Sequence, residues 1–225
     1  MLEAQTPDTG ASHHLQTNMS IRVLTPTDIP AILTLQDAVI ANLQPTEKHF
    51  LKKRDAVYLE KLLTLGIGVG LFDTTSGVLV AQALLRRQTF ESCETNCNVN
   101  NFLRHAAQTA PALSKHLLPE LHDIGWGVIG TMLVSPDAVY HRKGLARQVI
   151  NALMAEYLRQ GGKHVFASTA VDNLPSQKVF DAFGFSRLAE AVDPKDGWRC
   201  VIFHHPPLAH LHQGTPGSAH HPHRA

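Results

Sequence analysis

"SPDAVYHRKGLARQVINALM", residues 135–154, changes character at its middle. Leu145, Val149, Leu153 and, just past the quoted stretch, Tyr157 fall on one helical stripe, with Arg147, Asn151 and Arg159 on the other. That pattern predicts an amphipathic helix, closed by the glycines at 161 and 162. The helix is entered through His141, Arg142, Lys143 and Gly144, with small Ala146 in its first turn. The first N–H groups of a helix lack carbonyl partners, and the helix dipole makes that end attractive to anions. Gly144 lets a ligand approach the main chain, Ala146 keeps the next turn uncluttered, and Arg142 and Lys143 add charge, so a phosphate or diphosphate fits. An ordinary capped helix with exposed basic residues has the same letters, so the flanking sequence has to decide. A Walker loop is excluded because its spaced glycines and Lys-Ser/Thr ending are absent, and so is a dinucleotide fingerprint.

Outward from this stretch the segments alternate. Residues 126–134, "WGVIGTMLV", and 163–170, "KHVFASTA", read as buried strands before and after the helix. "LPSQKVFDAFGF", 174–185, reads as a short helix with a left-handed stop at Gly184 clasped by Phe185, and strands at 186–191 and 198–203 follow. On the N-terminal side, "IRVL" is a short strand. Thr25, Pro26 and Asp28 then stand as N-cap, first helical residue and third-position acid of a helix running to about Leu43. A second helix is expected over 47–65, then a hairpin of two strands around "TTSG". Residues 90–125 carry no strand pattern, although two segments suit short helices; so long a connection reads as an insertion between the third and fourth strands.

The chain of 225 residues is 44% hydrophobic, enough for one sizeable core. Domain boundaries fall as a polar tail at 1–19, a folded domain at 20–204 and a His/Pro-rich tail at 205–225, both tails lacking any hydrophobic period. Met19 stands next to the first strand, where translation can also begin. Lys plus Arg number 20 against 19 Asp plus Glu, a balance that argues for neither a nucleic-acid nor a membrane partner. Three cysteines, Cys93, Cys97 and Cys200, are too few for a disulfide framework, and Cys93 with Cys97 makes only half a zinc site. We expect a cytoplasmic protein without a metal.

The block 128–154 followed by 161–185 resembles the GNAT superfamily of acyl-CoA-dependent N-acyltransferases. The family's turn reads Gln or Arg, two residues, Gly, any residue, Gly or Ala; here it is His141-Arg142-Lys143-Gly144-Leu145-Ala146, departing at the first position and matching at both small ones. The resemblance implies an α/β (α+β) fold: a mixed, mostly antiparallel central sheet of about seven strands flanked by helices. It implies that the main chain of Leu133 and Val134 bonds the pantetheine arm and that amides from His141 to Ala146 hold the diphosphate of acetyl-CoA. Asn173, Ser176 and Phe180 would border the cofactor from the other wall. Direct attack of a primary amine on the thioester, on a small molecule or a protein, is the implied chemistry, and homodimers are common in the family.

Two departures bear on catalysis. The family's usual proton donor is a tyrosine in the last helix, where this sequence has Phe180, and the strand at 126–134 carries no ionisable side chain to serve as the base found in some relatives. Tyr140, Glu91, Glu120, His122 and Asp123 are the replacements the sequence offers, each equally readable as a solvated surface residue. A catalytically degenerate acyl-CoA-binding or protein-interaction module is therefore the alternative to an enzyme.

Overall fold

Apolar runs of period two and of period 3.6 alternate along the chain, and in the computed structural model they assemble into one seven-stranded sheet with helices on both faces. The structure describes residues 18–92, 98–109, 111–192 and 197–205, with side chains of 106–116 excepted; the two sequence-defined tails (except Asn18, Met19 and His205), Cys93 and Cys97 lie outside them. The strands are β1 (Met19–Val23), β2 (Ile67–Asp73), β3 (Leu79–Gln88), β4 (Trp126–Val134), β5 (Val165–Ala170), β6 (Ser186–Val192) and β7 (Arg199–His205), in the order β1-β2-β3-β4-β5-β7-β6. Only β4 and β5 run parallel. The sheet thus begins at Met19 and ends at His205, one residue into each segment read as a tail.

The helices are α1 (Ile29–Asn42), α2 (Ala56–Leu65), α3 (Asn98–Thr109), α4 (Pro111–Ile124), α5 (Leu145–Arg159) and α6 (Leu174–Ala182). At the first of them Thr25 N–H donates to Asp28 Oδ2 at 2.9 Å, and Arg22 grips the same carboxylate at 2.8 and 2.6 Å. That grip holds the Asp28 carboxyl at about 2, well below its ordinary range.

The helix expected over 47–65 is not continuous. A short 3-10 segment, Pro45–Phe50, is closed by the reach of Glu47 back to the Gln44 N–H at 3.0 Å, and residues 51–55 then run without helix. Asp55 restarts it by accepting the Tyr58 N–H at 2.8 Å. The insertion also departs from expectation, forming two full-length helices, α3 and α4, rather than short ones.

One face of the sheet packs against α5 and α6 through Val149, Ile150, Leu153, Phe180, Val201 and Phe203. The other carries α1 and α2 over Leu24, Leu79, Leu84 and Leu133, and α3 and α4 over Trp126, Val128, Phe166 and Ile202. The helix at 145–159 therefore buries the stripe read from its period, extended by Ile150 and Met154.

Where β5 starts and β7 ends, His164 Nδ1 and His204 Nε2 lie 3.1 Å apart, one donating and the other accepting. The His204 ring stacks on Phe166 at 4.6 Å, and His164 Nε2 lies 3.1 Å from Glu120 on α4. Burial, helped by charge on neighbouring His164 and His205, pushes the His204 pKa down to about 4, and burial also lowers that of His164 despite Glu120. Unfolded histidine protonates near 6.5, so between that pH and about 4 the unfolded chain binds more protons than the folded one. This contribution to stability is complete above about 6.5 and lost as the pH falls through about 4. The unfolding midpoint should fall across that window, and His204→Phe, which keeps the stacking but does not titrate, should flatten the fall. A variant whose midpoint tracks the wild type over the whole window would clear His204 of the effect.

Candidate functional site

A forked sheet provides the site. β4 and β5 pair only at Gly127↔Val165, Val128↔Phe166 and Ile129↔Ala167. Beyond those pairs β4 keeps β3 as its partner and β5 keeps β7, so a gap opens toward the carboxyl ends of the two parallel strands, the end where ligands enter open sheets. Gly130 marks the opening. Ile129 pairs with Leu85 and Thr131 with Leu84, which leaves Gly130 as a bulge residue in β4. Leu133 and Val134 lie on the forked arm, with Leu133 packed toward α1 and α2 and Val134 toward α5.

Past the end of β4 the chain turns into α5 as the sequence implied. Gly144 is the N-cap at φ 66°, ψ 27°, with no side chain capping the helix, and the first helical bond runs from Gln148 N–H to Gly144 C=O at 3.1 Å. The amides of Leu145, Ala146 and Arg147 therefore precede the first helical donor and have no carbonyl partner within the helix. Arg142 is also left-handed, φ 57°, alone among the described non-glycine residues. Left-handed residues in a turn are one of the ways in which main chain aims N–H groups into an anion-binding concavity. His141 is fixed by a 2.9 Å contact between its Nε2 and the Pro136 carbonyl, and Lys143 lies 6.0 Å from the Tyr140 ring. A Cβ on Gly144 would meet nothing within 4 Å, so its role is the left-handed turn, not relief of crowding.

The fork leads into a cleft of about 530 Å³. Val128 to Met132 form its floor, and one wall comes from Ser168 to Ala170 with Asn173, Ser176 and Phe180. The opposite wall comes from the α1–α2 connection, Arg86 of β3 and Asn98 at the start of α3; Trp198 and the first residues of β7 close one side. Asn173 caps α6, its Oδ1 accepting the Ser176 N–H at 3.2 Å. Phe180 is buried against Phe185 and Phe203, both at 5.3 Å between ring centres.

The replacement catalytic groups offered by the sequence stand elsewhere. Tyr140 donates its hydroxyl to Asp73 at 2.9 Å in the β2–β3 hairpin, and burial together with that carboxylate raises its pKa. His122 stacks on Phe90 at 4.1 Å, Glu120 contacts His164, and Glu91 and Asp123 are exposed. None of the five borders the cleft. Residues that sequence reasoning passed over do. Tyr58 brings a buried hydroxyl with no hydrogen-bond partner among the described residues, and the Arg54 guanidinium lies 4.4 Å over its ring. His49 reaches across the mouth to Asp172, Nε2 to Oδ2 3.1 Å, with its ring edge-on to Phe50 and Trp198. The signal that could have found Arg54 and Tyr58 is Asp55, whose N-cap role breaks the helix expected there and turns the preceding residues into a cleft wall.

A forked mixed sheet with a main-chain cradle at the helix following β4 defines a class: the chain has the fold of the GNAT superfamily of acyl-CoA-dependent N-acyltransferases. A family model described as FR47-like protein matches residues 114–192, the segment from α4 through β6. Among solved structures, the chain is similar to the ribosomal-protein-S18-alanine N-acetyltransferase of Escherichia coli, at 15% identity over 84% of this chain and 94% of that one, with a TM-score of 0.55. It is similar also to yncA of Salmonella typhimurium, solved with acetyl-CoA (16% identity, 89% of this chain, 98% of that one, TM-score 0.55). A third is NAA60 of Arabidopsis thaliana in complex with acetyl-CoA (11% identity, 84% of this chain, 98% of that one, TM-score 0.57). No curated protein sequence matches the chain.

Proposed function

We propose that this protein is an N-acyltransferase that moves the acetyl group of acetyl-CoA to a primary amine by direct attack. The observation that supports the reading is the presence, on the two sides of β4, of a helix N-terminus without a side-chain cap, suited to a diphosphate, and of a fork between β4 and β5 that lines a cleft with room for a second substrate. The forked arm of β4, including Leu133 and Val134, offers main-chain groups to the pantetheine. The neutral amine nitrogen attacks the thioester carbonyl, the carbon–sulfur bond breaks, CoA leaves as the thiolate, and the proton shed by the acylated nitrogen passes to that thiolate or to water. Holding the two reactants together supplies roughly 7–11 kcal/mol in well-oriented systems, so the chemistry survives without an acid at position 180.

The same Phe180, with a β4 lacking ionisable side chains, favours the second reading, a module that binds acyl-CoA without turning it over. A thermal-shift titration with acetyl-CoA followed by thiol release across an amine panel separates the two. We expect stabilisation by acetyl-CoA and amine-dependent release of one thiol per acetyl group. Stabilisation without release from any amine establishes the binding module, and no stabilisation removes both readings.

A further inference from the structure

We infer that the amine acceptor carries an anionic group, a carboxylate or phosphonate type of oxyanion, bound by Arg54 and Lys52 on the α1–α2 wall of the cleft. The inference rests on the acyltransferase reading and adds the class of second substrate.

Arg54 is held for this role by its backbone, not by its charge. Gln36, 1% exposed, accepts the Arg54 N–H at 2.9 Å through Oε1 and donates through Nε2 to the Arg54 carbonyl, also at 2.9 Å. A buried amide spent on both main-chain groups of one residue fixes where that residue's side chain starts. The guanidinium then lies on the Tyr58 ring, which sets its plane. Having been positioned twice, it makes no hydrogen bond among the described residues, and its Nε is buried. A buried guanidinium donor left unsatisfied is costly, and an oxyanion is the ligand that repays it, with the Tyr58 hydroxyl, unpartnered among the described residues, beside it as a further donor.

The surrounding charge points the same way. Two neighbouring cations are neutralised: Lys53 bonds Asp37 at 2.6 Å, and Arg199, at the β7 side of the cleft, bonds Glu190 at 2.6 Å. Among the described residues Lys52 pairs with no carboxylate and no Asp or Glu lines the cleft, the carboxylate at its mouth, Asp172, being paired with His49. Arg54 and Lys52 stand on the α1–α2 connection, whose Leu51 and Tyr58 pack over the sheet face opposite α5, away from the helix start assigned to the diphosphate. A positive wall also disfavours the ammonium form of a bound amine, which helps a site whose β4 carries no base.

The test uses the full chain with saturating acetyl-CoA and linear amines matched in length: ω-aminocarboxylates, their uncharged amides, an ω-aminophosphonate and a diamine. Thiol release should favour the anionic amines by tenfold or more in kcat/KM over the amides, with the diamine slowest. Arg54→Gln and Lys52→Gln should each raise KM for the anionic amines severalfold more than for the amides and leave the acetyl-CoA Kd unchanged; the Gln36 clamp holds main chain only, so both variants should fold. In parallel, calorimetry with an N-acetyl-ω-aminocarboxylate should show saturable binding that Arg54→Gln abolishes, a readout that stands whether or not acetyl-CoA is turned over. Equal or better use of the amides or the diamine, or no loss of the carboxylate's binding in Arg54→Gln, overturns the inference. Failure of acetyl-CoA to bind while the carboxylate still does removes the acyltransferase reading and leaves the oxyanion site standing.

Discussion

Gly144→Glu should weaken acetyl-CoA binding by at least about 100-fold while leaving the fold largely intact. A single like charge placed roughly 5 Å from a diphosphate, in the intermediate dielectric of a partly enclosed turn, costs on the order of 3 kcal/mol, which is about two decades of affinity. The side chain has room, since no atom lies within 4 Å of a Cβ at this position, so the charge and not a clash carries the effect. The left-handed backbone, φ 66°, adds a strain of about 1–2 kcal/mol for any residue with a Cβ, and that cost belongs to folding, not to binding. Two controls separate the terms. Gly144→Ala carries the strain without the charge, and should lower the unfolding midpoint a few degrees while keeping most of the affinity. Gly144→Asn tolerates the left-handed turn and should behave closer to the wild type in both. Calorimetric titration of acetyl-CoA against the three variants measures this directly. If the Glu variant binds within a few-fold of the wild type, the diphosphate does not lie at the start of α5 and the acyl-CoA reading loses its main support.

The contrast between this turn and the acceptor wall shows what sequence pattern can carry. The α5 stripe, the strands on either side and the left-handed stop at Gly184 follow from local rules of period and backbone conformation, so they are legible at short range. Phe185 N–H does donate to the Phe180 carbonyl, at 3.1 Å, as that stop requires. The Arg54 position does not follow from such rules. Its clamp comes from Gln36, 18 residues earlier, and a glutamine on an amphipathic helix has no pattern that distinguishes a buried clamp from a solvated side chain. The same holds for His49 and Asp172, 123 residues apart, which meet only because the sheet brings the α1–α2 connection over the end of β5. Tyr140 illustrates the converse. It stands next to the turn in sequence and invites a catalytic role, yet its hydroxyl is committed to Asp73, 67 residues away. Cradles made of main chain are written locally; clefts made of side chains from three elements are not.

The buried amide that ties the insertion to the sheet supplies the largest stability effect we expect outside the apolar core. Asn100 on α3 is fully buried; its Oδ1 accepts the Trp126 indole N–H at 3.3 Å and its Nδ2 donates to Gln88 Oε1 at 3.2 Å. One side chain thus links α3 to the end of β3 and the start of β4, the two strands that frame the floor of the cleft. Asn100→Leu keeps the volume and removes both bonds. The Trp126 indole, 1% exposed, loses this acceptor where bulk solvent does not reach, and Gln88 loses a donor. Each such loss costs about 1–3 kcal/mol, so Asn100→Leu should destabilise the chain by about 2–4 kcal/mol in urea unfolding. Asn100→Leu combined with Trp126→Phe should cost less than the two single changes added together, because removing both partners removes the desolvation penalty that removing one creates. Function should divide along the same seam. α3 begins at Asn98, which borders the cleft, whereas the start of α5, our proposed diphosphate cradle, is held by the core on the opposite face. The Leu variant, assayed below its unfolding midpoint, should therefore raise KM for the amine while leaving the acetyl-CoA Kd within about twofold of the wild type. Additive energies in the double variant would mean that the Asn100–Trp126 contact contributes nothing of its own, and an equal loss of both substrates would mean that the insertion supports the whole fork and not the acceptor wall alone.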